Sequence, residues 1–123
     1  MLVLADVTVH LTPLCGPNFD VGRQSEQASA LGALVKRAIV SSGAINFEDL
    51  CIQKGRSAWQ LYADIVCLDY DGNVEDASIL ALVAALRDVK LPTPVVQEDG
   101  EVRVATGSFS LVLACHADAD AVL

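Results

Sequence analysis

The spacing of apolar and polar positions changes several times along the chain, and each change marks an element. Residues 2–11 are rich in Val, Leu and Thr with partial alternation, which predicts a strand. Pro13, Gly16, Pro17, Asn18 and Gly22 make Thr12 to Arg23 a loop. From Ser25 to Val40 the apolar positions Ala28, Leu31, Leu34, Val35, Ala38 and Ile39 recur at helical spacing. Gln24, Gln27, Lys36 and Arg37 then face outward, and Gly43 closes the helix. Phe47 to Ile52 leads into a second strand, followed by a Lys54-Gly55-Arg56 turn.

The strongest strand pattern runs from Trp59 to Asp71. Trp59, Leu61, Ala63, Ile65 and Cys67 fall on one face, and Tyr62, Asp64, Val66 and Leu68 on the other. Both faces are largely apolar, which predicts a central strand covered on both sides. After the Asp71-Gly72 turn, a helix is predicted from Asn73 to Lys90. Asn73 is placed to cap it, Glu75 and Asp76 suit its N-terminal end, and Arg87 and Lys90 suit its C-terminal end. Pro92 is expected to stop it. Between Ala77 and Leu86 only Ser78 is polar, which predicts a helix buried all round. The order β-α-β-β-α implies an α+β fold with helices layered on a sheet. Beyond Pro94, residues 97–101 read as a polar turn, 108–115 as one more short strand, and the tail after His116 as frayed. No internal repeat is visible.

Composition sharpens this picture. At 123 residues, 53% hydrophobic and a mean hydropathy of +0.44, the chain is large enough for one modest core and unusually apolar for a soluble monomer. No apolar run approaches the ~20 residues of a membrane span, so no membrane role is expected. The surplus points to burial against other chains or a missing part of the same chain, with aggregation as the alternative. A net charge of -8 argues against direct binding of nucleic acid, because such affinity comes largely from neutralising phosphates. Cys15, Cys51, Cys67 and Cys115 show no metal-type spacing, and Cys67 reads as a buried thiol. The apolar opening lacks a basic stretch and reaches Asp6 too early for a secretory signal, so a reducing intracellular setting is expected.

The segment from Asp64 to Ala77 carries the candidate chemistry. Its carboxylates invite a calcium-loop reading, but counting from Asp69 puts Gly72 at position 4 where 6 is needed, and position 12 is not Glu. A strand, a glycine turn and a helix N-terminus would suit a phosphate. Here Glu75 and Asp76 occupy the first turn, and two such charges repel a phosphate by roughly a few kcal/mol at an effective dielectric of about 20. The scaffold of an anion site is present with its charge reversed. No cofactor or metal is expected. His10 and His116 lack partners at catalytic or metal spacing.

These residues also resemble a known family. Leu68-Asp69-Tyr70-Asp71-Gly72-Asn73-Val74, with Asp76-Ala77 and Ala84-Ala85-Leu86 after it, is similar to the non-catalytic RNase PH-like subunits of the RNA exosome ring. Leu11 to Cys15, Glu48 to Ile52, Gly55, Trp59 and Val89 to Pro92 extend the resemblance over about residues 10 to 94. It implies a fold like ribosomal protein S5 domain 2. Residues 1–94 would then be a partial RNase PH-like domain and 95–123 a weakly matching C-terminal extension. In phosphorolytic members the turn reads Asp-Gly-Gly-Thr-Arg-Thr-Ala, with Thr and Arg holding the attacking phosphate. Here Asp71, Gly72, Asn73, Val74, Glu75 and Asp76 form a degenerate version, with Val74 and Glu75 at the Thr and Arg positions. The resemblance therefore implies a chain that is not an enzyme.

What it implies instead is a structural subunit of a ring that supports 3'-5' processing and degradation of RNA, including rRNA maturation and mRNA turnover. Partners would be other RNase PH-like exosome subunits and cap subunits, with RNA met indirectly, in the nucleus, nucleolus and cytoplasm. Arg37 matches one of two basic positions that face RNA in related subunits; the other is Val40. A solvated helix-face arginine is the plainer account of Arg37, as of Arg23 and Arg56 in loops. The resemblance implies that full members carry an N-terminal strand-rich portion, so a partial member is expected here. A stand-alone α+β binding module, a non-functional fragment and an active phosphorolytic exoribonuclease are the alternatives. A stable monomer would favour the first of these, and a Thr-Arg pair at positions 74 and 75 would have favoured the last.

Overall fold

A computed structural model describes residues 4–19 and 25–110. Strand β1 (Leu4–His10) is followed by helix α1 (Glu26–Ser41) and a small hairpin of β2 (Cys51–Gln53) and β3 (Ser57–Ala58). Strand β4 (Leu61–Val66), helix α2 (Val74–Asp88) and a second hairpin of β5 (Lys90–Val96) and β6 (Val102–Ser110) complete the order. β1 and β4 pair in parallel from Leu4 opposite Leu61 to His10 opposite Val66. The two hairpins are antiparallel. The mixed α and β content, with helices lying on the β1–β4 pair, agrees with the α+β expectation.

α1 forms where the spacing predicts. Ser25 sits at its N-cap in extended conformation, and its hydroxyl accepts the Ala28 N–H at 3.1 Å, satisfying a donor that the first turn would leave open. Ala28, Leu31, Val35 and Ile39 form the buried stripe. They meet Val7 and Val9 of β1, and the core closes with Leu4, Leu50, Leu82 and Leu86. Gly32 lies on the same stripe because α1 and β1 touch there: a Cβ on it would stand 2.5 Å from the Val7 carbonyl oxygen. Lys36, expected to face outward, instead reaches across to donate to the Ala5 carbonyl at 2.6 Å. Its long stem covers the helix–strand seam while the ammonium finds an acceptor.

Several expectations need correction. β4 is six residues long and is not a central strand covered on both sides. Its inner residues Leu61, Ala63 and Ile65 are half-buried, whereas Tyr62 is 70% and Val66 54% exposed. Among the described residues β1 is its sole strand partner, and the helices cover one face alone. α2 is not buried all round: Ser78, Leu82 and Leu86 face the core while Leu80 is 71% exposed. An apolar helix is enclosed only where something covers it, and here α1 and β4 cover one stripe.

α2 also ends earlier, at Asp88, with Val89 extended at its C-cap. Pro92 does not stop it; Pro92 and Pro94 lie within β5. Proline lacks the N–H a ladder needs, but in a two-stranded ribbon each strand has a free edge that tolerates it, and the register shifts between these two residues. The strand expected at 108–115 is β6 over 102–110, and 111–115 lie outside the described residues.

Candidate functional site

The turn between β4 and α2 is held from behind by the loop after β1. The Cys67 N–H donates to the His10 carbonyl at 3.1 Å, extending the β1–β4 ladder by one bond, and the Tyr70 N–H donates to the Cys15 carbonyl at 2.9 Å. The Tyr70 ring stacks tilted against Phe19 with centroids 5.6 Å apart. Its hydroxyl accepts from Gln27 Nε2 of α1 at 3.3 Å. With Tyr70 fixed in this way, Asp71-Gly72-Asn73 turns out into solvent. Gly72 has φ +92° and Asn73 φ +47°, left-handed values that glycine adopts without cost and asparagine tolerates better than most.

Asn73 occupies the N-cap position of α2 but does not cap it. Its side chain donates to Asp76 Oδ2 at 3.0 Å, and no side chain accepts from the first turn. A left-handed N-cap points the amide away from the N–H groups it was expected to bridge. Glu75 and Asp76 lie exposed in the first turn, as the sequence implies. Between this turn and α1 opens a cleft of about 290 Å³ lined by Gln27, Leu31, Leu34, Tyr70, Val74 and Glu75 among others. Among the described residues no Lys or Arg lines it. Its described lining thus presents an amide and a phenol bonded to each other, apolar walls and a carboxylate, and the carboxylate disfavours a phosphate nearby.

The remaining candidates are dispersed. Arg37 is exposed on α1, one turn beyond Leu34 along the stripe that borders the cleft. The ion pairs among the described residues are His10–Asp64 at 3.2 Å and Arg103–Glu101 at 3.4 Å, so Arg37 enters none of them. Val40, the other position of the pair, is also exposed. Arg56 lies against Gly100 in the β5–β6 turn, far in sequence from Arg37, and Arg23 lies outside the described residues. Among the described residues no three His, Cys, Asp or Glu side chains stand together as a metal site would need, and no helix is long and apolar enough to cross a membrane.

Cys67, expected as a buried thiol, is half-buried, and its Sγ donates to the Asp69 carbonyl at 3.5 Å. Partial burial, and then the neighbouring Cys15 thiol, push its pKa up. Cys15 is buried and donates to the Thr12 carbonyl at 2.9 Å. A raised pKa leaves Cys67 a poorer nucleophile, since the thiolate is the reactive form. Sequence reasoning did not find the Gln27–Tyr70 contact or the Phe19–Tyr70 stack, because residues 43 or more apart leave no local signal.

Comparison with known proteins places this geometry. Residues 4–92 match the "3' exoribonuclease family, domain 1" of RNase PH type. The exosome complex component rrp43 of Schizosaccharomyces pombe is 44% identical over 93 residues, covering 76% of this chain and 34% of the yeast protein. The exosome complex component Rrp42 of Methanothermobacter thermautotrophicus is 45% identical over 93 residues, with the same shares. Among solved structures, a chain of the Archaeoglobus fulgidus exosome with RNA bound to the active site superposes with a TM-score of 0.73 at 34% identity. That match covers 88% of this chain and 40% of the archaeal one. The chain thus spans about a third of the length of the curated relatives it matches. With residues 4–92 matched and the superposition extending over most of the chain, this protein belongs to the RNase PH family of 3' exoribonuclease domains.

Proposed function

We propose that this chain is a non-catalytic structural subunit of an RNA exosome ring, supporting 3'-5' RNA processing and degradation without cleaving RNA itself. The observation that carries the reading is Glu75, exposed at the first turn of α2 beside a cleft that no Lys or Arg among the described residues lines. A phosphorolytic site must hold an inorganic phosphate, and this turn presents a carboxylate and the Val74 side chain in place of a cation and a hydroxyl. Residues 1–94 are the partial RNase PH-like domain, and 95–123 are an extension of it. Partners are other RNase PH-like subunits and cap subunits, and residence is in the nucleus, nucleolus and cytoplasm. The named relatives support the assembly, and the exposed Leu14, Leu68 and Leu80 supply apolar surface of the kind that protein interfaces cover. RNA is met within the assembly, with Arg37 as the contact from this chain.

Affinity purification of the tagged chain from its own cells, with mass spectrometry of what accompanies it, tests the reading. The ring subunits are expected in stoichiometric amount. A monomer recovered without them refutes the scaffold role. Within the recovered assembly, Arg37→Glu is expected to weaken RNA cross-linking to this subunit without changing its composition.

A further inference from the structure

We propose that Cys15 and Cys67 form a reversible disulfide that clamps the loop after β1 to the turn ahead of α2. Both are free thiols in the structure. They belong to two segments tied at both ends by backbone hydrogen bonds. The Cys67 N–H donates to the His10 carbonyl at 3.1 Å, and the Tyr70 N–H donates to the Cys15 carbonyl at 2.9 Å. Inside this frame the thiols are neighbours: after burial, the charge and the hydrogen bond of the Cys15 thiol are what raise the Cys67 pKa, an effect that needs the two sulfurs side by side. A disulfide needs Cα atoms about 4.4–6.8 Å apart. Side chains already in contact on a tied frame reach bonding distance by rotation about χ1, with no rearrangement of the backbone.

The two sulfurs differ in access, and that sets the order of events. Cys67 is half-buried, whereas Cys15 is 3% exposed. The co-reactant is a small disulfide of the glutathione type. The Cys67 thiol gives up its proton, and its sulfur attacks one sulfur of the small disulfide. A new S–S bond forms, the original one breaks, and the departing thiolate takes up the proton. The Cys15 sulfur, losing its own proton, then attacks Cys67 Sγ and expels the second small thiol. Two protein thiols are oxidised and one small disulfide is reduced to two thiols, so atoms and electrons balance. Each cysteine gives up a weak S–H bond to a carbonyl, Cys15 to Thr12 and Cys67 to Asp69. The raised pKa of Cys67 slows the first attack at neutral pH, and the adjacency of Cys15 makes the second intramolecular. A mostly reduced pool keeps the pair as thiols, and an oxidised pool closes it. Closure places the Tyr70 bond to Cys15 beside a covalent tie, which suppresses its opening. The exposed Leu14 and Leu68 adjoin the two cysteines, so the tie also limits how far they can separate.

The folded full chain, equilibrated in graded mixtures of reduced and oxidised glutathione, tests this. Free thiols are alkylated, and linked peptides are mapped by mass spectrometry. The expected product is a Cys15–Cys67 link within one chain, lost again when reduced glutathione is restored. The Tyr70 amide is expected to exchange at least about tenfold more slowly in the oxidised chain than in the reduced one. In concentrated urea the preference should pass to Cys51, the cysteine nearest to Cys67 in sequence, which closes the shortest loop. In the folded chain, a link from Cys67 to Cys51 or Cys115, a link between chains, or glutathione left on Cys67 with Cys15 free overturns the proposal. So does a Cys15–Cys67 link that leaves Tyr70 exchange unchanged. The mapping needs no substitution, so no variant's failure to fold enters it. Cys67→Ser, at the half-buried position, is the control, with equal Tyr70 exchange expected in both mixtures. The chain is tested alone, so neither result bears on membership of a ring.

Discussion

Gly32→Ala sets two physical effects against each other, and the structure decides which wins. Position 32 is in the middle of α1, where glycine costs about 0.8–1 kcal/mol relative to alanine through the backbone freedom it loses. Helix propensity alone therefore says that the substitution stabilises. But α1 crosses β1 at this point, and the new Cβ would stand 2.5 Å from the Val7 carbonyl oxygen, inside the 3.0 Å that real Cβ contacts respect. The obstacle is backbone, so no rotamer change relieves it. The helix must lift by roughly half an ångström or more, which loosens Leu31 and Val35 against Val7 and Val9 and strains the Lys36 contact to Ala5. Overpacking of a fitted core costs about 1–3 kcal/mol even after relaxation, and a shift shared by a whole helix belongs at the upper end. The net expectation is a loss of about 1–2 kcal/mol, or a fall in Tm of roughly 4–15 °C for a domain of this size. Urea unfolding of the full chain followed by circular dichroism measures it, with an unchanged slope showing that the unfolded state is not responsible. Ala33→Gly, at an exposed neighbour, is the control for propensity. A midpoint equal to or above the native one would refute the close approach of α1 to β1.

Two further outcomes follow from local contacts. Ser25→Ala removes the acceptor for the Ala28 N–H and should cost about 1 kcal/mol, while Ser25→Asp should restore most of it; the same unfolding assay reads both. Cys67 is raised in the folded chain by burial first and by Cys15 second, so its contribution to stability is whole at neutral pH. Once the unfolded thiol begins to ionise, near pH 8.5, the unfolded state loses its proton first and stability falls with rising pH until the folded thiol ionises too. Tm measured from pH 7 to 10 should therefore decline more steeply in the native chain than in Cys67→Ala, and equal slopes would count against the raised pKa.

Local information in the sequence reached a definite depth. Ser25 before a 3.6-residue apolar period locates α1 within a residue, and Gly43, with φ +66°, follows its end. The Asp71-Gly72 turn and the acidic start of α2 were also legible, because each is specified by residues a few positions apart. That Glu75 and Asp76 place two carboxylates just after this turn needed no coordinates either. What failed were inferences about surroundings. Alternation says which β4 residues share a face but not whether that face is covered, and Tyr62 and Val66 remain exposed. Composition says α2 is apolar but not that Ser78 faces the core and Leu80 faces water. Pro92 and Pro94 read as terminators because the ribbon that tolerates them is made by residues ten or more positions away.

The sequence by itself thus determined the helices, the main strand and the acidic character of the turn, since these rest on short-range spacing and on residue type. The tertiary structure alone decided that Gly32 is a contact point and that Tyr70 is braced by Gln27 and Phe19. It also decided that β4 has β1 as its strand partner among the described residues. Each of these depends on which distant segments meet, and burial and close approach are properties of pairs of elements that no single stretch of chain contains.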